Sequence, residues 1–171
     1  MITIRPMLEA DIASVLRLQA QCYLPDNIEP GVVIRTRLAS APDTAWIAER
    51  DGMACAYLAG YRSRLGKVGA LGDDFEPAAA PDCLYLHDLA VGAQARGLGL
   101  GPRLVAHALS QARREKLTWA ALVSVQDSQA FWRQQGFSAR QLDEPGAELA
   151  LSSYAGGPAC YMTQELLAMT G

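Results

Sequence analysis

The sequence predicts an α/β fold: a mixed central sheet of six or seven strands flanked by about four helices, in one domain spanning residues 1–171. Three observations predict it. A buried apolar run over 84–91 empties into a glycine-rich turn, Arg96-Gly97-Leu98-Gly99-Leu100-Gly101, that opens an amphipathic helix. An Asp51-Gly52 pair separates two strand-like segments, which is the pattern of a β-hairpin. Helical stripes and apolar runs also alternate along a chain long enough to bury about 70% of its unfolded surface.

Taken in order, residues 2–5 form a short strand. From Glu9 to Gln21, the apolar residues Ile12, Val15, Leu16 and Leu18 mark a helical stripe. A loop over 22–30 leads to a second helix near 31–40, and the hairpin pairs 45–50 with 53–62. The irregular stretch 63–82 reads as a lid or insertion. The helix from Leu100 sets Leu104, Val105, Ala108, Leu109 and Ala112 on one face, with Arg103, His107, Gln111 and Arg114 on the other. Pro102 suits its first position, and His107 is expected at the surface. A buried strand follows over 119–125. Ser128 or Asp127 can N-cap a short helix that ends at Gln135, with Gly136 as its left-handed C′ residue. Trp132 and Phe137 then take the two positions whose side chains touch in a Schellman cap. Strands near 138–142 and 159–167 finish the sheet.

Composition excludes several function classes. Half the residues are hydrophobic, 19% are charged, and the net charge is −3, as in an ordinary globular chain. There is no basic stripe, so no nucleic-acid partner is expected. No apolar stretch reaches membrane-spanning length, and Met1–Arg5 does not resemble a secretory signal, so a cytoplasmic protein without a membrane partner is expected. Cys22, Cys55, Cys83 and Cys160 are scattered with no CxxC pair, and only two histidines exist. No metal site is expected, and the cysteines read as small buried hydrophobes.

The glycine turn carries the chemistry. A strand emptying into a helix start gathers free N–H groups at the positive end of the helix dipole, a phosphate site. A P-loop would need Gly-Lys-Ser/Thr, whereas Gly101 is followed by Pro102-Arg103. A dinucleotide fingerprint from Gly99 would need a small residue where Leu104 stands. Arg96-x-x-Gly99-x-Gly101 instead matches the R/Q-x-x-G-x-G/A signature of the GNAT family of N-acetyltransferases, and Leu89-Ala90-Val91 resembles that family's fourth strand. Phe131-Trp132-Arg133-Gln134-Gln135-Gly136-Phe137 is similar to its aromatic-Tyr-x-x-x-Gly-Phe block. The matching segments run from about residue 84 to 137.

This resemblance implies a mostly antiparallel sheet and acetyl-CoA as co-substrate. It implies direct transfer, in a ternary complex, to a primary amine of a small molecule or peptide. Arg96, Gly97, Leu98, Gly99, Leu100 and Gly101 would hold the pyrophosphate. The backbone of Leu89, Ala90 and Val91 would hold the pantetheine arm, between the strands at 84–91 and 119–125, and a strand N–H near Leu89 would serve the oxyanion. Trp132 stands where many members carry a tyrosine that protonates the leaving thiolate. Indole is no acid at these pH values, so Trp132 is expected to pack beside the arm. Ser128, Tyr85, Tyr161 or water would then supply the proton, or the thiolate would leave unassisted.

His87 is the candidate general base, because imidazole is the side chain whose charge changes nearest neutral pH. Strand alternation places it with Tyr85, Leu89 and Val91. Tyr85-Leu86-His87-x-Leu89-Ala90-Val91 is similar to the arylalkylamine N-acetyltransferase branch, which has a catalytic histidine there. The competing reading is a structural histidine, hydrogen-bonded in the interior or beside Asp88. Acceptor binding is expected from Tyr23, Asp26 and Glu29, with Asp73, Asp74 and Glu76 overhanging; these carboxylates suit a cationic amine or are simply solvated. A monomer or homodimer is expected. The alternative function is a non-catalytic acyl-CoA-binding sensor or regulatory domain of the same fold, which Trp132 favours and His87 opposes.

Overall fold

The computed structural model describes residues 1–166, so the predicted end of the last strand at 167 lies outside the described residues. Seven strands form one sheet: β1 (Ile2–Pro6), β2 (Ala45–Arg50), β3 (Met53–Ser63), β4 (Cys83–Val91), β5 (Trp119–Ser124), β6 (Ser138–Ala139) and β7 (Cys160–Glu165). They lie in the order β1-β2-β3-β4-β5-β7-β6. Only β4 and β5 are parallel neighbours; the other pairs are antiparallel. The helices are α1 (Ile12–Cys22), α2 (Gly31–Ser40), α3 (Leu100–Arg114), α4 (Gln129–Gln134) and α5 (Ala147–Leu151). The predicted first helix starts as a 3-10 turn over Glu9–Asp11, β6 is shorter than expected, and α5 was not predicted.

Local chemistry explains the elements that were legible. Asp51 and Gly52 both have positive φ, 52° and 80°, as a two-residue type I′ hairpin turn requires. The predicted apolar face of α3 is buried, and it covers one side of the sheet together with Trp46, Leu58, Leu84, Leu86 and Leu122. His107 departs from expectation: it is half-buried, edge-on to Trp46 with ring centroids 5.6 Å apart. The opposite side of the sheet is covered by α1 and α2, with Val15, Leu18, Ile47 and Tyr57 in the core, and by the 64–82 connection through Phe75.

α4 ends as predicted. The Phe137 N–H donates to Trp132 C=O and the Gly136 N–H to Arg133 C=O, both at 3.0 Å, with Gly136 at φ 97°. These are the two bonds of a Schellman cap, and the Trp132 and Phe137 rings meet edge to face at 5.6 Å. Ser128 does occupy the N-cap position. Its hydroxyl bonds the Ser124 hydroxyl at 2.9 Å instead of capping the helix.

Two features of β4 shape everything downstream. Its pairing with β5 stops at Leu86↔Leu122, although β4 stays on β3 as far as Val91↔Ala56 and β5 stays on β7 as far as Ser124↔Cys160. The two parallel strands therefore part. Opposite β3, the register jumps from Gly60↔Leu86 to Ala59↔Asp88, which leaves His87 as the extra residue of a β-bulge. Gly60 is the partner that allows it: a Cβ there would collide with the Tyr85 carbonyl.

Candidate active site

Where β4 and β5 part, a cleft of about 240 Å³ opens, walled by β4 from Leu86 to Val91, the end of β5, the α1–α2 loop and the start of α4. The ladder phase of β4 decides which peptide groups face it. Gly92 N–H donates to Cys55 C=O at 2.8 Å, so residues of the opposite parity, Leu89 and Val91, turn their peptide groups away from β3. Their carbonyls accept from the Tyr23 hydroxyl at 2.7 Å and from Cys22 Sγ at 3.2 Å.

The glycine turn adjoins the Val91 end of this cleft. Gly99 is the N-cap of α3 at φ 71° and Gly97 has φ 81°, a left-handed conformation that glycine adopts without steric cost. Arg103 N–H makes the first helical bond, to Gly99 C=O. The N–H groups of Leu100 and Gly101 thus belong to the unpaired first turn. Pro102 is the third helical residue, not the first; its missing N–H still falls in that turn and costs no bond. A Cβ on Gly101 would press against Phe131, 3.3 Å away, so this glycine serves close packing. Arg96, Gly97, Leu98 and Gly99 are exposed.

The bulge corrects the expected facing of His87. Leu84 and Leu86 point to the α3 side, and beyond the bulge Leu89 and Val91 pack there too. His87 and Asp88 fall consecutively on the other face, so His87 does not share a face with Leu89 and Val91. The His87 side chain is 4% exposed, among Phe75, Tyr85 and Tyr154. Its Nε2 lies 2.8 Å from Glu29 Oε1, and Arg37 Nη1 lies 2.6 Å from that same oxygen. Burial pushes the Glu29 carboxyl up, but His87 and Arg37 together outweigh it and hold the pKa at about 2. Arg37 Nη1 also lies 3.0 Å from His87 Nε2. An ionised carboxylate only accepts and a guanidinium only donates, so Glu29 calls for a proton on Nε2 and Arg37 for a lone pair there.

Glu29 is also built into the surrounding frame. Gln19 bonds its backbone N–H and C=O, at 3.1 and 3.2 Å, and Gly72 N–H donates to its Oε2 at 2.7 Å. Arg37 donates to the Asp73 carbonyl and stacks on Phe75, 4.7 Å from the ring centroid. Tyr154 donates to the Gly69 carbonyl. The 64–82 connection is thereby pinned over one end of the cleft, where Leu71 lines it.

The other predicted site residues sort as follows. Tyr23, Leu89, Ala90, Val91, Ser128 and Trp132 line the cleft with His87. Trp132 is also a core residue, wedged against Phe131 and Phe137. Tyr85 is no cleft residue: it is 1% exposed under Tyr61, and burial raises its pKa well above the ordinary tyrosine value. Tyr161 likewise is buried, with its hydroxyl accepting from Gly66 N–H and its pKa pushed up to about 12. Asp26 is exposed and outside the cleft wall, and the carboxylates of Asp73, Asp74 and Glu76 face solvent. Glu29 does line the cleft, but its charge is spent on Arg37 and His87.

Three functional candidates were missed. Arg37 sits with Ile34 and Leu38 on the inward face of α2, and an arginine on an apolar stripe was the available signal. Tyr154 comes from a segment with no periodic pattern. Asp88 has Tyr57 donating to its Oδ2 at 2.5 Å, and burial raises its pKa. All four cysteines are free, and no cluster of three or more potential metal ligands occurs among the described residues. No helix among them is long and apolar enough to cross a membrane.

The sequence matches the acetyltransferase (GNAT) family model over residues 12–137. No curated protein matches it. Among solved structures, Ard1 from Thermoplasma volcanium superposes with a TM-score of 0.73 at 18% identity, covering 97% of this chain and 98% of that one. The loading GNATL domain of CurA from Lyngbya majuscula gives 0.77 at 12% identity, covering 97% and 98%. The GphF GNAT-like decarboxylase in complex with isobutyryl-CoA gives 0.73 at 16% identity, covering 96% and 100%. Identities this low establish a shared fold alone. Together with the family match over most of the sequence, the parted β4 and β5 strands and the glycine turn opening α3 lead to one conclusion: the chain belongs to the acetyltransferase (GNAT) family.

Proposed function

We propose that the protein is an acetyl-CoA-dependent N-acetyltransferase that moves the acetyl group directly, in a ternary complex, to a primary amine of a small molecule or peptide. The parting of β4 and β5 beside the glycine turn carries this reading. It leaves the peptide groups of Leu89 and Val91 facing a cleft, where the amides of a pantetheine arm can pair with them. The turn from Gly97 to Gly101 then offers its N–H groups to the pyrophosphate, with Arg96 adding charge.

The acceptor must lose a proton before it can attack. For a lysine-like amine at pH 7 this costs about 4–5 kcal/mol. His87 is the base in this reading, held in place by Glu29 and Arg37, which both contact its Nε2. Ser128 is the hydroxyl in the cleft wall available to the leaving thiolate. A free thiol has a pKa near 8.5, so departure without an acid is also tolerable.

Labelled acetyl-CoA tests direct transfer. Label should pass to the amine nitrogen when an amine is present, and none should stay on the protein when it is absent. Stable labelling of the protein would contradict the ternary-complex reading.

A further inference from the structure

Turn tips are ordinarily built from glycine, proline and short polar residues, yet the 64–82 connection carries a leucine at one of its turns. Asp73 N–H donates to Ala70 C=O at 3.2 Å and Gly72 has φ 84°, the pattern of a type II β-turn with Leu71 at its first corner. Leu71 is half-buried, but no apolar cluster of the core among the described residues includes it. It lines the cleft instead.

The turn is fixed through its backbone by two distant parts of the chain. In the segment after α5, the Tyr154 hydroxyl donates to Gly69 C=O at 2.7 Å, and Ser153 Oγ accepts from Leu71 N–H at 2.9 Å. In the α1–α2 region, Glu29 Oε2 accepts from Gly72 N–H at 2.7 Å, and Arg37 Nε donates to the Asp73 carbonyl at 2.8 Å. The other oxygen of Glu29 meets His87 Nε2 at 2.8 Å, so the turn stands at the His87 end of the cleft. The glycine turn lies at the opposite, Val91 end. None of the four bonds uses the Leu71 side chain, so its size can change without releasing the turn.

We propose that Leu71 sets the size limit of the acceptor: its side chain closes the His87 end of the cleft and fixes the length of amine that fits there. This rests on the acetyltransferase reading and adds a specificity-determining residue to it. The acetyl group arrives from the Val91 end on the pantetheine arm, and the amine nitrogen meets it near His87. The rest of the acceptor then runs towards Leu71. A leucine pinned through its backbone is a fixed stop, because moving it aside breaks four hydrogen bonds, two of them to the buried charges of Glu29 and Arg37. A methylene pushed against such a wall meets close-packed atoms and is rejected.

The test is a homologous series of unbranched primary alkylamines, ethylamine to decylamine, with thiol release from acetyl-CoA as the readout. In the wild type, kcat/KM should rise about fourfold per methylene while the chain gains apolar contact, and fall once it reaches Leu71. Leu71→Ala removes the side chain beyond Cβ and should move the optimum to a chain about two or three methylenes longer. Leu71→Phe should move it to a shorter chain. Acetyl-CoA KM and melting temperature should be unchanged in both variants.

Opposite shifts in the two variants support the size limit, because a turn that had merely loosened would move or blur the optimum in the same way in both. A common shift, or an optimum that neither variant moves, overturns it. The wild type supplies a measurement that does not depend on the variants folding: kcat/KM that still climbs at decylamine overturns the stop. Release with other amines but with no alkylamine overturns the stop and leaves the acetyltransferase reading standing. No amine-dependent release with any amine overturns both together.

Discussion

Replacing Glu29 by glutamine removes the charge that Arg37 and His87 share, and the cost follows from the structure. The Glu29 and Arg37 side chains are 4% and 6% exposed, so solvent screens little of the interaction. Against the opposing effect of burial, the two partners take the Glu29 pKa from 4.5 to about 2. At about 1.4 kcal/mol per pH unit, this corresponds to about 3 kcal/mol of stability at neutral pH. A second route agrees: removing one member of a buried ion pair costs about 3–5 kcal/mol, because the other charge is left uncompensated. For a chain of this length, a loss of about 3 kcal/mol lowers the melting temperature by about 6–12 °C. The folded pKa lies below the unfolded one, so the contribution is complete above pH 4.5 and is lost as pH falls towards 2. Melting curves of wild type and Glu29→Gln should differ by this amount at pH 7 and converge in acid. Equal melting temperatures at pH 7, or a gap that persists at pH 2, would refute the charge triad.

Four further outcomes follow from the same contacts. Gly99→Glu sets a carboxylate in the phosphate turn at a residue with φ 71°, and coenzyme A binding should be lost in calorimetry while the protein stays folded. His87→Ala should lower turnover at neutral pH with acetyl-CoA affinity unchanged; an unaltered pH–rate profile would return His87 to a purely structural role. Gly60→Ala forces a methyl group into the Tyr85 carbonyl and should cost at least about 2 kcal/mol by urea denaturation, with loss of activity as the bulge shifts. Trp132→Tyr puts a hydroxyl and a smaller ring between Phe131 and Phe137, and should destabilise by about 1–3 kcal/mol without raising turnover.

What the sequence made legible was local. Asp51-Gly52 demands a type I′ turn, Gly136-Phe137 a Schellman cap, and the α3 stripe its buried face; each follows from a few adjacent residues. The glycine turn was equally readable, because its glycines answer to φ and to close packing at their own positions. The bulge at His87 was not. Period-two reading assumes an unbroken register, and one extra residue reversed the facing of Leu89 and Val91 relative to His87. Glu29 drew attention as an acid in the right loop, but its meaning depends on Arg37, a helix away, and on His87, 58 residues further along. Asp26 shows the converse: a carboxylate in the same loop that turns to solvent. The 64–82 connection reads as a lid in outline, yet it is tied to the cleft by its backbone groups at Gly69, Gly72 and Asp73 and by Phe75, while the carboxylates of Asp74 and Glu76 stay at the surface.

Thiol release from acetyl-CoA across a panel of amines tests the central claim most directly, with arylalkylamines, short alkylamines, amino acids, peptides, aminoglycosides and polyamines side by side. The account predicts thiol release that depends on the presence of an amine acceptor. Silence across the panel from protein that still binds acetyl-CoA would contradict it and favour a binding or sensing domain.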